Sequence, residues 1–264
     1  MVLDVRRAWG QIKIAFLEWK IYFIRYWKGA LSNDVIGGFM GGLAAYLMGK
    51  FIGTVMYAGM EIPYATFYVV GWSIAYLYNA ILRTFTMGSK NAKIIMVFSE
   101  HPLLVPFART LAMIPATTVR LLSWALPICI AENIPITTPI IAYILGSLAI
   151  LPALGAVGVL FTAMSFYIRG RDFWRISGTI YSAIRLLMPA SFAVSAFGAA
   201  EGIALLVPTV AAVEGVRMII FGLPQGIGLV AYGFLSGLAA LILSYPVLKK
   251  TMDTARRKGW IMLE

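Results

Sequence analysis

Six stretches of the chain, at residues 34–56, 64–84, 106–130, 138–167, 174–196 and 225–248, are apolar almost throughout. A helix needs about 20 such residues to cross the roughly 30 Å of a bilayer's hydrocarbon core, so each stretch predicts a membrane span. The alternating ten-residue pattern of an outer-membrane barrel is missing, which makes the expected spans helices. Of the 264 residues, 61% are hydrophobic and only 12% charged, and the mean hydropathy is +0.85, beyond the range of soluble domains. With no fixed-period repeat, low-complexity tract or long linker, residues 1–264 read as one domain. The expected fold is all-α integral membrane: an interfacial helix at 1–33, a six-helix bundle at 34–248, and a basic cytoplasmic tail at 249–264.

The formal net charge of +11 would suggest nucleic acid in a soluble chain. Here the cations fall between spans and read as topology signals, so no nucleic-acid partner is expected. One side collects the basic head, Lys90, Lys93, Arg169, Arg171, Arg175 and the tail; the other collects Glu61, Glu132, Glu201 and Glu214, with Arg217 as its only obvious cation. This bias predicts a multi-pass plasma-membrane protein with both termini cytoplasmic. Arg6, Arg7, Lys13, Lys20, Arg25 and Lys28 are spread through the head instead of preceding an apolar core, so no cleavable signal is expected.

Within that head, Trp9, Ile12, Phe16, Trp19, Phe23 and Tyr26 recur at steps of three and four, and Ile14, Leu17, Ile21 and Ile24 form a second stripe nearly opposite. The pattern predicts an amphipathic helix in the membrane interface, with its basic flanks toward anionic lipid and the second stripe available to a protein neighbour.

Residues 197–222 are apolar but interrupted by Gly202, Pro208 and Gly215, and they carry Glu201, Glu214 and Arg217. A straight crossing would make seven spans and put the basic tail on the wrong side. Two short re-entrant helices before the last span are predicted instead, packed inside the bundle because non-helical backbone at membrane depth must be covered by protein or line water.

Chemistry-bearing groups are few. His101 is the only histidine, Cys129 the only cysteine, and no phosphate-binding G-x-x-x-x-G-K-[ST] occurs. No catalytic, cofactor or metal residue is assigned, and no cofactor is expected on this chain. Cations inside the predicted spans are more informative, since an arginine at mid-membrane costs about 2.5–3.5 kcal/mol on insertion scales and is expected to face protein, water or a counter-charge. Arg120 and Arg185 are the candidates, for a substrate path or for holding helices together; Arg109 and Lys50 lie near span ends, where snorkelling accounts for them. Pro115, Pro127, Pro152 and Pro189 fall within predicted spans as kinks.

The order of these parts resembles the permease of the ATP-binding-cassette (ABC) type-2 exporter family over nearly the whole chain. Its best local match is "LVPTVAAVEGVRMIIFG", similar to that family's proline, Glu-x-x-Arg step and apolar run ending in glycine, here Pro208, Glu214, Arg217 and Gly222. A second is "FTAMSFYIRGRDFWRISG", a span ending in a basic return, and a third is the layout of "KIIMVFSEHP", a short apolar helix with charged ends before a proline turn. The third departs from the family in lacking its small-Thr-x-Glu run, with Lys93 and Met96 at those places.

What the resemblance implies is a permease that forms a translocation path with a second copy or a close relative. ATP and magnesium would be handled by a separate pair of ABC ATPase subunits, so this chain is not itself an enzyme. Residues 88–101 would dock in a groove of that ATPase, with Ile94, Ile95, Val97 and Phe98 as apolar contacts and Lys90, Lys93, Glu100 and His101 around them, the arrangement of an interface patch. The segment at 197–222 would shape the outer exit. A gradient-driven secondary transporter is the competing reading, and predicts embedded acids and an internal repeat that the sequence lacks. A non-transporting membrane scaffold is a third.

Overall fold

A computed structural model of the chain describes residues 31–86, 104–168 and 188–258, with isolated positions at 9, 10, 13, 17, 20, 29, 175, 176, 178–180, 182 and 183. A π-helical turn, Leu31–Ile36, leads into α1 (Gly37–Ile52), and strands β1 (Thr54–Tyr57) and β2 (Met60–Pro63) follow. Next come α2 (Tyr64–Thr86), α3 (Leu104–Ala131) and α4 (Thr137–Tyr167). A 3-10 segment, Val194–Ala200, then precedes α5 (Glu201–Leu205), α6 (Pro208–Ile220) and α7 (Gly226–Lys258).

Among the described residues, four helical stretches, Ser32–Ile52, Ile114–Ala131, Thr137–Tyr167 and Gly226–Arg257, are long and apolar enough to cross a bilayer. The chain is a predominantly helical membrane protein. With 23 residues, α2 extends about 34 Å. The hydrophobic centre is α4, apolar on every side and largely enclosed by α2, α6 and α7.

The small face of α1 sets its packing. Its buried residues are Gly38, Gly42, Ala45 and Gly49 alone, four positions on one helical stripe. They let the backbone of α1 come close to α3 and to the start of α2: a Cβ on Gly38 would lie 3.3 Å from the Arg120 carbonyl, and one on Gly49 2.9 Å from the Ala65 Cβ. Phe39, Met40, Leu43, Leu47, Met48 and Phe51 stay exposed, which in a bilayer is a lipid-facing surface.

Three expectations need correction. The first span is shorter than 34–56: α1 stops at Ile52, Gly53 turns the chain at φ +78°, and residues 54–63 form an antiparallel hairpin pairing Thr54 with Pro63 and Tyr57 with Met60. Its two-residue turn, Ala58–Gly59, has positive φ at both positions, the geometry whose twist matches paired strands. The last helix does not end near 248 but runs on to Lys258, through much of the expected tail. The fifth span, 174–196, does not continue as a helix to its end: residues 188–193 bend, Pro189 lies in that bend instead of kinking a helix, and Val194–Ala200 is 3-10.

Most of the expected interfacial helix lies outside the described residues; Trp9, Gly10, Lys13, Leu17, Lys20 and Gly29 are helical. The expected docking segment at 88–101 and Arg185 also lie outside them, as do Arg169 and Arg171.

Candidate functional site

The candidate site grows from α6. Pro208 opens this helix at its first position, where a missing N–H costs nothing. All nine residues from Thr209 to Arg217 are buried, so this helix packs inside the protein, whereas residues 198–203 of the same expected segment are exposed. Gly222 closes the helix at φ +80°. There the Leu223 N–H donates to the Met218 carbonyl at 2.8 Å and the Gly222 N–H to the Ile219 carbonyl at 3.0 Å, a Schellman ending that satisfies carbonyls the helix would otherwise orphan. A Gly222→Ala substitution, which forces a Cβ into the left-handed region, is expected to cost about 1 kcal/mol, read as a lowered unfolding midpoint of the purified protein.

Glu214 and Arg217 stand one turn apart on α6 and face inward together. Arg217 is fully buried, and its Nη1 donates to Glu214 Oε2 at 2.8 Å. The same guanidinium reaches the bend inside the fifth apolar stretch: Nη1 donates to the Phe192 carbonyl at 3.1 Å, and Nη2 donates to the carbonyls of Ala190, at 3.2 Å, and Pro189. The Tyr64 hydroxyl donates to the remaining carbonyl, that of Ser191, at 3.1 Å. Four successive carbonyls, 189–192, thus receive side-chain donors instead of helical N–H groups. That is the physical reason no α-helix continues there.

The walls are aromatic. The Arg217 guanidinium carbon lies 4.2 Å from the centroid of Phe67, within cation–π range. Phe67 stacks on Phe221 at 6.4 Å, and Tyr57 of β1 meets both rings edge-on at 5.4 and 5.7 Å. The hairpin therefore serves as a lid on this polar core. Burial first, and then the Glu214 carboxylate nearby, pushes the Tyr57 phenol above its ordinary pKa, so it stays neutral. Gly71 on α2 gives the bend room: a Cβ there would run into the Ala190 carbonyl and Arg217 Nη2.

A second constellation lies along α1, α2 and α3. Two ion pairs clamp the α1–α3 contact near its ends: Arg120 Nε to Asp34 Oδ1 at 3.8 Å, and Lys50 Nζ to Glu132 Oε1 at 3.0 Å. Between these levels α2 presents Tyr64, Tyr68, Trp72 and Tyr76 at four-residue spacing, all half-buried, with ring centroids 5.7 Å apart for Tyr64–Tyr68 and 6.0 Å for Tyr68–Trp72. Trp124 of α3 joins the stripe, 5.9 Å from Tyr68 and 6.4 Å from Tyr76.

The structure brings Pro208, Glu214, Arg217 and Gly222 into one short element, with the two charges in the interior instead of at an outer surface. Arg120 has a counter-ion in Asp34, and Lys50 has one in Glu132 instead of only extending toward headgroups. Asp34, Tyr57, Tyr64, Phe67 and Gly71 were not singled out from sequence. The period of the α2 aromatics was legible there, but the meeting of Tyr57 and Phe67 with Arg217 had no local signal. Among the described residues, no group of three or more histidine, cysteine or acidic side chains is arranged to hold a metal ion. Comparison with protein-family models, curated proteins and solved structures gives no match.

Proposed function

We propose that the chain is the membrane-spanning permease subunit of an ATP-driven ABC exporter of the type-2 kind, in the plasma membrane with both termini cytoplasmic. The observation that carries the reading is the segment from Pro208 to Gly222. A proline-started, glycine-ended helix with a buried Glu-x-x-Arg pair, directly before the last long helix, has the order of parts of that family's segment before its final span. The apolar spans and the one-sided basic loops support it further.

In this reading two copies, or one copy and a close relative, enclose the path, and two ATPase subunits bind ATP and magnesium below. ATP binding closes the ATPase pair. Residues 88–101, docked through Ile94, Ile95, Val97 and Phe98 with Lys90, Lys93, Glu100 and His101 around them, pass the movement to the bundle together with the N-terminal helix. The change of access then derives from the differing affinity of the two bundle states for the closed ATPase pair. Segment 197–222 shapes the outer exit, and Arg120 and Arg185 border the path or hold its helices.

The test is co-expression with a Walker A-bearing ATPase from the same gene neighbourhood. A stoichiometric complex is expected, with ATPase activity in proteoliposomes that rises with cargo and falls when Phe98 and Glu100 are both replaced by alanine. Full transport by the chain alone, with no nucleotide-hydrolysing protein in the vesicle, would overturn the proposal.

A further inference from the structure

The exposed side of α7 changes character within two residues. Its large exposed side chains are apolar from Ile227, through Leu235, Ile242 and Leu243, to Val247. Those 20 helical steps rise about 30 Å, the thickness of a bilayer's hydrocarbon core. Directly beyond Val247 the exposed residues are Lys249 and Lys250, and after them Arg256 and Arg257. This switch marks where α7 leaves the hydrocarbon.

The helix does not fray at that level. Leu248, Thr251, Met252 and Ala255 continue the buried face at helical spacing, each at most 2% exposed, and the helix persists to Lys258, about 14 Å past Lys249. The four cations are therefore carried on a packed, regular helix. Along α7 itself a single carboxylate accompanies them: Asp253, 3.6 Å from Arg256. The opposite end of the molecule presents Glu61 and Glu201 as exposed acids.

We propose that this end of α7 is a binding surface for anionic lipid headgroups. Lys249 and Lys250 stand at headgroup level, less than one turn past a lipid-facing Val247. Arg256 and Arg257, two turns farther out, extend back toward the phosphates along their aliphatic stems, as long basic side chains do at interfaces. A cluster of this size directly beyond a membrane helix is sufficient to concentrate acidic lipid. Lipid is the occupant, rather than an acidic soluble protein, because the basic patch is continuous with the lipid-facing stripe: a protein covering Lys249 and Lys250 would have to sit within the headgroup layer. The inference rests on membrane character alone and holds whether or not the chain is an exporter subunit.

The experiment places the full-length chain in nanodiscs of equimolar phosphatidylcholine and phosphatidylglycerol, extracts it gently, and counts retained lipids by native mass spectrometry. The wild type is expected to retain phosphatidylglycerol preferentially. In a variant with Lys249→Gln, Lys250→Gln, Arg256→Gln and Arg257→Gln, that preference is expected to fall about tenfold or more. A charge-conserving variant, Lys249→Arg, Lys250→Arg, Arg256→Lys and Arg257→Lys, is expected to keep it. The pair Lys249→Gln with Lys250→Gln provides a milder lesion should the fourfold variant fail to fold, and is expected to lose part of the preference. An unchanged preference in a neutralised variant that retains its unfolding midpoint would overturn the proposal, as would equal loss in the neutralised and charge-conserving variants.

Discussion

Replacement of Arg217 by alanine is expected to destabilise the protein by about 3–5 kcal/mol, the range for removing one partner of a buried ion pair. The substitution leaves the Glu214 carboxylate, only 5% exposed, without its counter-charge. It also strips a donor from the carbonyls of Pro189, Ala190 and Phe192 and the cation from the face of Phe67. Arg217→Lys is expected to rescue little, because one ammonium cannot spread donors over a carboxylate and three carbonyls as the planar guanidinium does. Pairing Arg217→Met with Glu214→Leu removes both charges together and is expected to recover part of the loss, though not all, since the carbonyls remain unpaired. The measurement is the unfolding midpoint in detergent micelles, followed by size-exclusion chromatography after heating. An Arg217→Ala protein within about 0.5 kcal/mol of wild type, the scatter of surface substitutions, would mean that the pair does not hold the 188–193 bend.

The second large effect is expected at Gly42. A side chain there would run directly into the Trp124 carbonyl and come within 2.8 Å of the Pro127 ring. Backbone cannot yield as a flexible side chain does, so Gly42→Leu must push α1 away from α3. Overpacking of this kind costs about 1–3 kcal/mol and at times more. The displacement should also separate the two ion pairs at the ends of the contact, Asp34–Arg120 and Lys50–Glu132. A thiol cross-linker joining Lys50→Cys to Glu132→Cys, in a Cys129→Ala background, is expected to react in the parent and to lose most of its yield with Gly42→Leu. Leu43→Ala, on the exposed side of the same helix, should leave cross-linking intact. Equal yields in the parent and the Gly42→Leu protein would show that α1 and α3 do not depend on close backbone approach.

The helices around 64–84, 106–130 and 138–167 were legible because their signal is simple: about 20 apolar residues in sequence need a helix if they are to satisfy their backbone away from water. The unusual nature of 197–222 was legible too, since Pro208, Gly215 and the charges disagree with a straight span. The hairpin at 54–63 was missed because its apolar residues, Val55, Met56, Tyr57 and Ile62, extend the preceding run without a compositional break. Gly53 and the Ala58–Gly59 turn were its only local marks. The fifth stretch misled for the opposite reason. Its residues are apolar to the end, but the carbonyls at 189–192 find side-chain donors from α2 and α6 that are distant in sequence.

By itself the sequence determined that this is a helical membrane protein, where most of its long helices lie, and which short segment breaks the pattern, because hydropathy and glycine or proline chemistry act locally. Only the tertiary structure decided where the charges go. Arg217, one helical turn from Glu214 by sequence alone, meets Phe67 and the bend at 188–193 only through packing, and Arg120 and Lys50 find Asp34 and Glu132. Charges in a low-dielectric interior are governed by whichever partners the fold brings within a few ångströms, and that proximity is a property of packed helices rather than of neighbouring residues.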